Sequence, residues 1–133
     1  MPIKSFRGLL ANAGQERLSL HTNDGRIGYR IVKFQVMTKE PGNTSQDLVV
    51  KIYKVKQDSV PSSSGTIDFS DNTLLAAGYF AQATADFSHF KSVIFDNEIF
   101  NQDIYVTCTD NDGSDPCNYY FELEQIKLNS NEN

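Results

Sequence analysis

The chain has 133 residues, of which 39% are hydrophobic and 22% charged, with a formal net charge of −5. That size predicts one domain with enough buried surface to need no covalent staples, and the composition argues against general disorder. A sequence pI near 4.9 leaves no basic stripe for nucleic acid, and no apolar run approaches the ~20 residues that cross a bilayer. The start, Met1-Pro2-Ile3-Lys4, lacks the long apolar segment of a secretory signal, so synthesis in a cytoplasm is expected.

Residues Ile3–Leu10 and 17–21 read as short strands around the turn Asn12-Ala13-Gly14. His21-Thr22-Asn23-Asp24-Gly25 is a tight turn, because Asn and Asp bond their own backbone and Gly accepts positive φ. Over Ile27–Thr38, Val32, Phe34 and Val36 alternate with Lys33, Gln35 and Met37, the period-2 mark of a strand with one buried face. A loop at 39–45 centres on Pro41-Gly42. Residues 48–55 form the next strand. Its apolar side chains fall in both phases, which predicts cover on both faces or a bulge. Lys51, Lys54 and Lys56 then read as its solvated face or edge.

Val60-Pro61-Ser62-Ser63-Ser64-Gly65 is an exposed loop, residues 67–69 a short strand, and Asp71-Asn72 a turn. The stretch 74–85 mixes helix formers with Gly78-Tyr79-Phe80, and a strand over Leu74–Gln82 is the better reading. Residues 87–90 are irregular and 93–95 a short buried strand. The segments 103–109 and 117–128 flank Asp110-Asn111-Asp112-Gly113-Ser114-Asp115-Pro116, which reads as a β-hairpin with Cys108 and Cys117 at its base. In the last strand Tyr119, Phe121 and Leu123 share a face, whereas Ile126 and Leu128 are out of phase, predicting a bulge near Glu124. The polar residues 129–133 form a frayed end. Eight or nine antiparallel strands without a reliable helix predict an all-β chain, a jelly-roll-like β-sandwich forming a single domain over residues 1–133.

No nucleophile–base–orienter set and no phosphate loop is legible, so no catalytic residue and no cofactor are expected. His21 and His89 sit among turn formers and Phe90. Asp96 with Glu98 and Glu122 with Glu124 are carboxylate pairs, but same-face neighbours on any strand meet the glycosidase spacing. The best ligand candidate is a weak calcium site at Asp110, Asp112 and Asp115 around Gly113. It is no EF-hand, because Cys108 would open that loop and Tyr119 would stand at position twelve. Asn101, Gln102, Asn118, Tyr119 and Tyr120 have sugar-binding chemistry, but strand alternation would bury about half of them. Cys108 and Cys117 admit either free thiols or a disulfide.

Five segments taken together carry a resemblance: residues 21–25, 27–34, 68–79, 94–99 and 118–125, the last reading Asn118-Tyr119-Tyr120-Phe121-Glu122-Leu123-Glu124-Gln125. With them the chain resembles small structural proteins of marine tailed bacteriophages over residues 3–128. The resemblance implies a virion component made in a host cytoplasm. It implies above all a capsid decoration (cement) protein, a small β-sandwich or jelly roll that sits on the major capsid protein and clusters as a homo-oligomer, with trimers favoured. It carries no site motif, and the charge and the short apolar runs leave no nucleic acid and no membrane among the expected partners. Phe6, Leu9 and Leu10, beside Lys4 and Arg7, are the interface candidates; the competing reading puts them in this domain's own core. A tail, neck or fibre component with receptor or glycan binding, and a calcium- or sugar-binding module, are the alternatives.

Overall fold

Alternation of apolar and polar side chains decides the local structure. The computed structural model describes residues 2–20, 26–40, 46–63, 65–82, 89–111 and 113–128, and every regular element among them is a strand. In chain order these are β1 (Ile3–Leu10), β2 (Gln15–Leu18), β3 (Ile27–Thr38), β4 (Gln46–Tyr53), β5 (Leu74–Gln82), β6 (His89–Phe95), β7 (Ile104–Asp110) and β8 (Cys117–Lys127). They form two antiparallel sheets, β1-β8-β3 and β2-β7-β4-β5-β6, packed as a β-sandwich. The chain changes sheet between β1 and β2, β2 and β3, β3 and β4, and again between β7 and β8.

The core is what the two inner faces share. Ile31, Phe34, Phe121 and Leu123 come from the three-stranded sheet, and Leu48, Val50, Ile52, Ile104 and Val106 from the five-stranded one. The Phe121 ring is stacked 5.3 Å from Phe6 and 5.7 Å from Tyr119. Strands β1, β3 and β5 carry the bounds expected from the sequence, and β4 is covered on both faces.

Several expectations need correction. The segments 103–109 and 117–128 do not pair as a hairpin: β7 lies between β2 and β4, and β8 between β1 and β3. Each is an interior strand with two partners, so the link at 111–116 spans the roughly 10 Å between sheets. Lys51 is buried, not solvated. Its Nζ donates to the Thr66 carbonyl at 2.8 Å and stands 5.4 Å from the Tyr53 ring centre. The segment after β4 folds back as a roof, since Thr109 Oγ1 donates to the Pro61 carbonyl and Asn12 Nδ2 to the Ser62 carbonyl.

Residues 67–69 form no strand. Asp68 Oδ1 accepts both the Ser70 N–H and the Ser70 hydroxyl, and this local turn competes successfully with pairing. Residues 93–95 belong to the longer β6, an edge strand on which Ile94 and Phe95 are exposed. The bulge lies at Val32 on β3, between Ile31 and Lys33, not near Glu124. It turns Val32 outward and lets both Ile31 and Phe34 face the core. β2 ends at Leu18, because the Leu20 N–H bonds the Asp103 carboxylate instead of a ladder. His21, the 21–25 and 41–45 turns and the 129–133 tail lie outside the described residues.

The sheets approach closely where β5 passes β3. A Cβ on Gly78 would stand 2.7 Å from Val36 Cγ1 and 3.2 Å from Phe34 Cε2. Gly78→Ala is therefore expected to destabilise the domain by about 1–3 kcal/mol through overpacking. Urea unfolding checks this, with a lowered midpoint at an unchanged slope.

Candidate functional site

Two places gather the residues that sequence chemistry singles out. The first is the end of the sandwich where the chain crosses from β7 to β8. Asp110, the last residue of β7, is fully buried. Its Oδ1 accepts the Asp47 N–H at 3.2 Å and its Oδ2 accepts the Asp115 N–H at 2.9 Å. Its own N–H donates to Asn12 Oδ1 at 2.8 Å. The carboxylate thus ties β4 to the crossing link, and the same residue's N–H ties both to the β1–β2 turn. Asp115 lies against it. Burial first, then the Asp110 and Glu40 charges, hold the Asp115 carboxyl above its ordinary range, while a hydrogen bond with Gln46 pulls the other way.

Asp112, the remaining member of the calcium candidate, lies outside the described residues. Among the described residues no three His, Cys, Asp or Glu side chains group as metal ligands. The geometry gives Asp110 a structural role, in which it supplies acceptors to backbone amides that leave the ladder.

Just inside this end, Cys108 and Cys117 are buried free thiols from opposite sheets. They share a hydrogen bond, and that bond together with burial pushes the Cys108 thiol far above its ordinary range. Cys117 Sγ also lies 3.4 Å from the Asn118 carbonyl and 3.6 Å from that of Met37. The same bond to Cys108 draws the Cys117 thiol below its ordinary range, against its burial and with help from the Met37 backbone.

The second place is the outer face of the three-stranded sheet. Its central strand β8 pairs Asn118 with Leu9 on one side and Met37 on the other, and pairs Tyr120 with Arg7 and Gln35. Leu9 is 47% and Met37 63% exposed. With Tyr120 they border an open groove of about 490 Å³. Toward the other end the face becomes charged. Lys33 Nζ stands 5.8 Å from the Tyr120 ring centre, and the Tyr120 hydroxyl donates to Glu122 at 2.6 Å.

The three interface candidates separate here. Leu9 belongs to this open face. Leu10, 7% exposed, belongs to the core, and Phe6 is half-buried on Phe121. The sugar-binding set also divides. Asn118 and Tyr120 are on the outer face, but Tyr119 is buried with its hydroxyl donating to Glu16. Asn101 and Gln102 are in the link before β7, where Gln102 bonds the Lys54 carbonyl. Met37 is not among the residues that sequence chemistry singles out. Its position in the polar phase of β3 is the signal for it, since a large apolar side chain in that phase has to face outward.

A further hollow of about 710 Å³ lies between Phe69, Phe95 and the acids Asp71 and Asp96. Asp71 is already engaged by the Thr73 N–H and hydroxyl, which hold its carboxyl below its usual range. In comparisons with known proteins, no family model and no curated protein matches the chain.

Asp110→Ala leaves the partly buried N–H groups of residues 47 and 115 without acceptors, so a loss of about 1–3 kcal/mol is expected in denaturant unfolding. Asp115→Asn keeps the same hydrogen-bonding reach and removes one charge facing Asp110. A carboxyl whose folded pKa is raised binds its proton more tightly folded than unfolded, so it costs stability as pH rises above its ordinary value of 3.8. Asp115→Asn is therefore expected to stabilise by on the order of 0.5 kcal/mol at pH 7 and by nothing below about pH 3.8. Thermal melts of both proteins across that pH range check it.

Proposed function

We propose that this chain is a non-enzymatic structural protein of a virion, a capsid decoration protein that docks as a homo-oligomer on the major capsid protein and stabilises the shell by burying surface. The observation that carries the reading is the outer sheet face, where Leu9, Met37 and Tyr120 stand open to solvent beside a charged margin. An apolar centre with a polar rim is the composition of a protein–protein contact. The strand order supports a jelly-roll-like winding, because β1-β8-β3 faces β2-β7-β4-β5-β6 and the chain changes sheet at each of its first three connections and again before β8. Sandwiches of this kind are common in viral shells, which is fold-level analogy only. The resemblance to small structural proteins of marine tailed phages supplies the rest.

Such a protein acts by mass action. Docking to the folded form stabilises both partners in proportion to occupancy. Counting this chain against the major shell protein in gradient-purified particles is the direct check, and a ratio near unity is expected. A handful of copies would move it to the tail, neck or a fibre, and absence from particles would end the virion reading.

A further inference from the structure

We infer that the open edge of β1 is a self-association surface, on which a second copy of this chain adds its own β1 antiparallel about a two-fold axis at Phe6. The contact is defined by the strand and holds whether or not the chain sits on a shell.

The sandwich has four strand edges. β2 has four residues. β3 carries the Val32 bulge, and Lys91 from β6 reaches across to its Gln35. β6 belongs to the same closed corner, where it neighbours β3. β1 is different: eight residues, no proline within it, no register shift along β8, and no strand of the described residues on its other side. Long, flat edges of this kind are templates for pairing unless something guards them.

The backbone bonding defines which residues meet. Residues of an antiparallel strand bond alternately to one neighbour and the other. The Pro2 carbonyl accepts the Gln125 N–H at 2.9 Å, so the even-numbered residues of β1 bond to β8. The N–H and C=O groups of Ile3, Ser5, Arg7 and Leu9 consequently point to the open side. A second β1 has to match odd residues with odd ones, and few registers do so. Centring on Arg7 opposes two guanidinium groups. Centring on Ser5 opposes Ile3 to the partner's Arg7.

Centring on Phe6 sets Ile3 against the partner's Leu9, Ser5 against the partner's Arg7, and Phe6 against the partner's Phe6. Ile3 and Leu9 are 49% and 47% exposed in the single chain. Each pair would cover both, and the incoming Ile3 would lie at the Leu9 side of the groove. The edge's guard, Lys4, would face the partner's Gly8, which has no side chain to obstruct it. Apolar residues thus meet apolar residues and no like charges oppose. The result is a six-stranded sheet across two copies, a two-fold contact and not the three-fold cluster that the resemblance implies.

Light scattering on a sizing column over a concentration series tests the inference. Twice the 14.9 kDa chain mass is expected. Ser5→Pro removes an N–H on the open side and leaves the bonds to β8 intact. It should raise the dimer dissociation constant by about tenfold or more, with the melting point of the dilute protein little changed. Phe6→Cys should give a covalent dimer with oxidised glutathione, whereas Ser5→Cys should not link to itself. These cysteine variants decide the matter should the proline variant fail to fold. A monomer up to about millimolar concentration, a trimer, or a dimer without the Phe6→Cys cross-link overturns the inference.

Discussion

A three-stranded sheet has one interior strand, and here it is β8. It alone bonds both β1 and β3, so the smaller sheet exists only while β8 is in register. Its inward residues Cys117, Tyr119, Phe121 and Leu123 are all buried, and Phe121 carries stacked rings on both sides of it in space. Because β8 is the last strand and β1 the first, the first sheet contact spans nearly the whole chain. Closing a contact of that range costs entropy, which places this fold among the slowly folding β topologies. The same pairing determines which side of β1 is left open.

Legibility of the structure in the sequence follows the range of the physical signal. Period-2 alternation is local, and it marks β1 and β3 at both ends. The choice of strand over helix at Leu74–Gln82 rests on Gly78, Tyr79 and Phe80, and the close approach of Gly78 to β3 explains why a glycine stands there. Partnership is non-local. An acidic Gly turn between two apolar segments reads as a hairpin whether the strands then pair or enter different sheets. Nothing within residues 103–128 records that β8 finds better partners in β1 and β3. Lys51 misleads for a similar reason, since its cover comes from Thr66, outside the strand itself. In the candidate site, Leu9 is legible as an apolar residue next to charged ones. Met37 is legible only as an exception to the pattern, a large apolar side chain in the phase that alternation assigns to solvent.

The crossing end of the sandwich shows how a β core stops. Ladder bonding ends at Asp110 and Cys117, and the amides beyond them need acceptors. Asp110 supplies them from a fully buried position, which concentrates negative charge next to Asp115 and Glu40. Gln46 Oε1 and Asp47 Oδ1, just beside it, are buried oxygens with no protein partner among the described residues. The two thiols a layer deeper separate this polar cluster from the aliphatic interior. Asp110, which looks like a metal ligand in the sequence, is therefore what holds the chain as it passes from one sheet to the other.

Phe6 connects the surface to the core. Its ring lies on Phe121, yet it is only half-buried, because nothing among the described residues pairs with the far side of β1. Any strand laid along β1 would complete that burial. It would therefore strengthen the contact at the centre of the smaller sheet as well as add its own bonds. Association and folding stability are then coupled through one side chain: what binds the edge also secures β8.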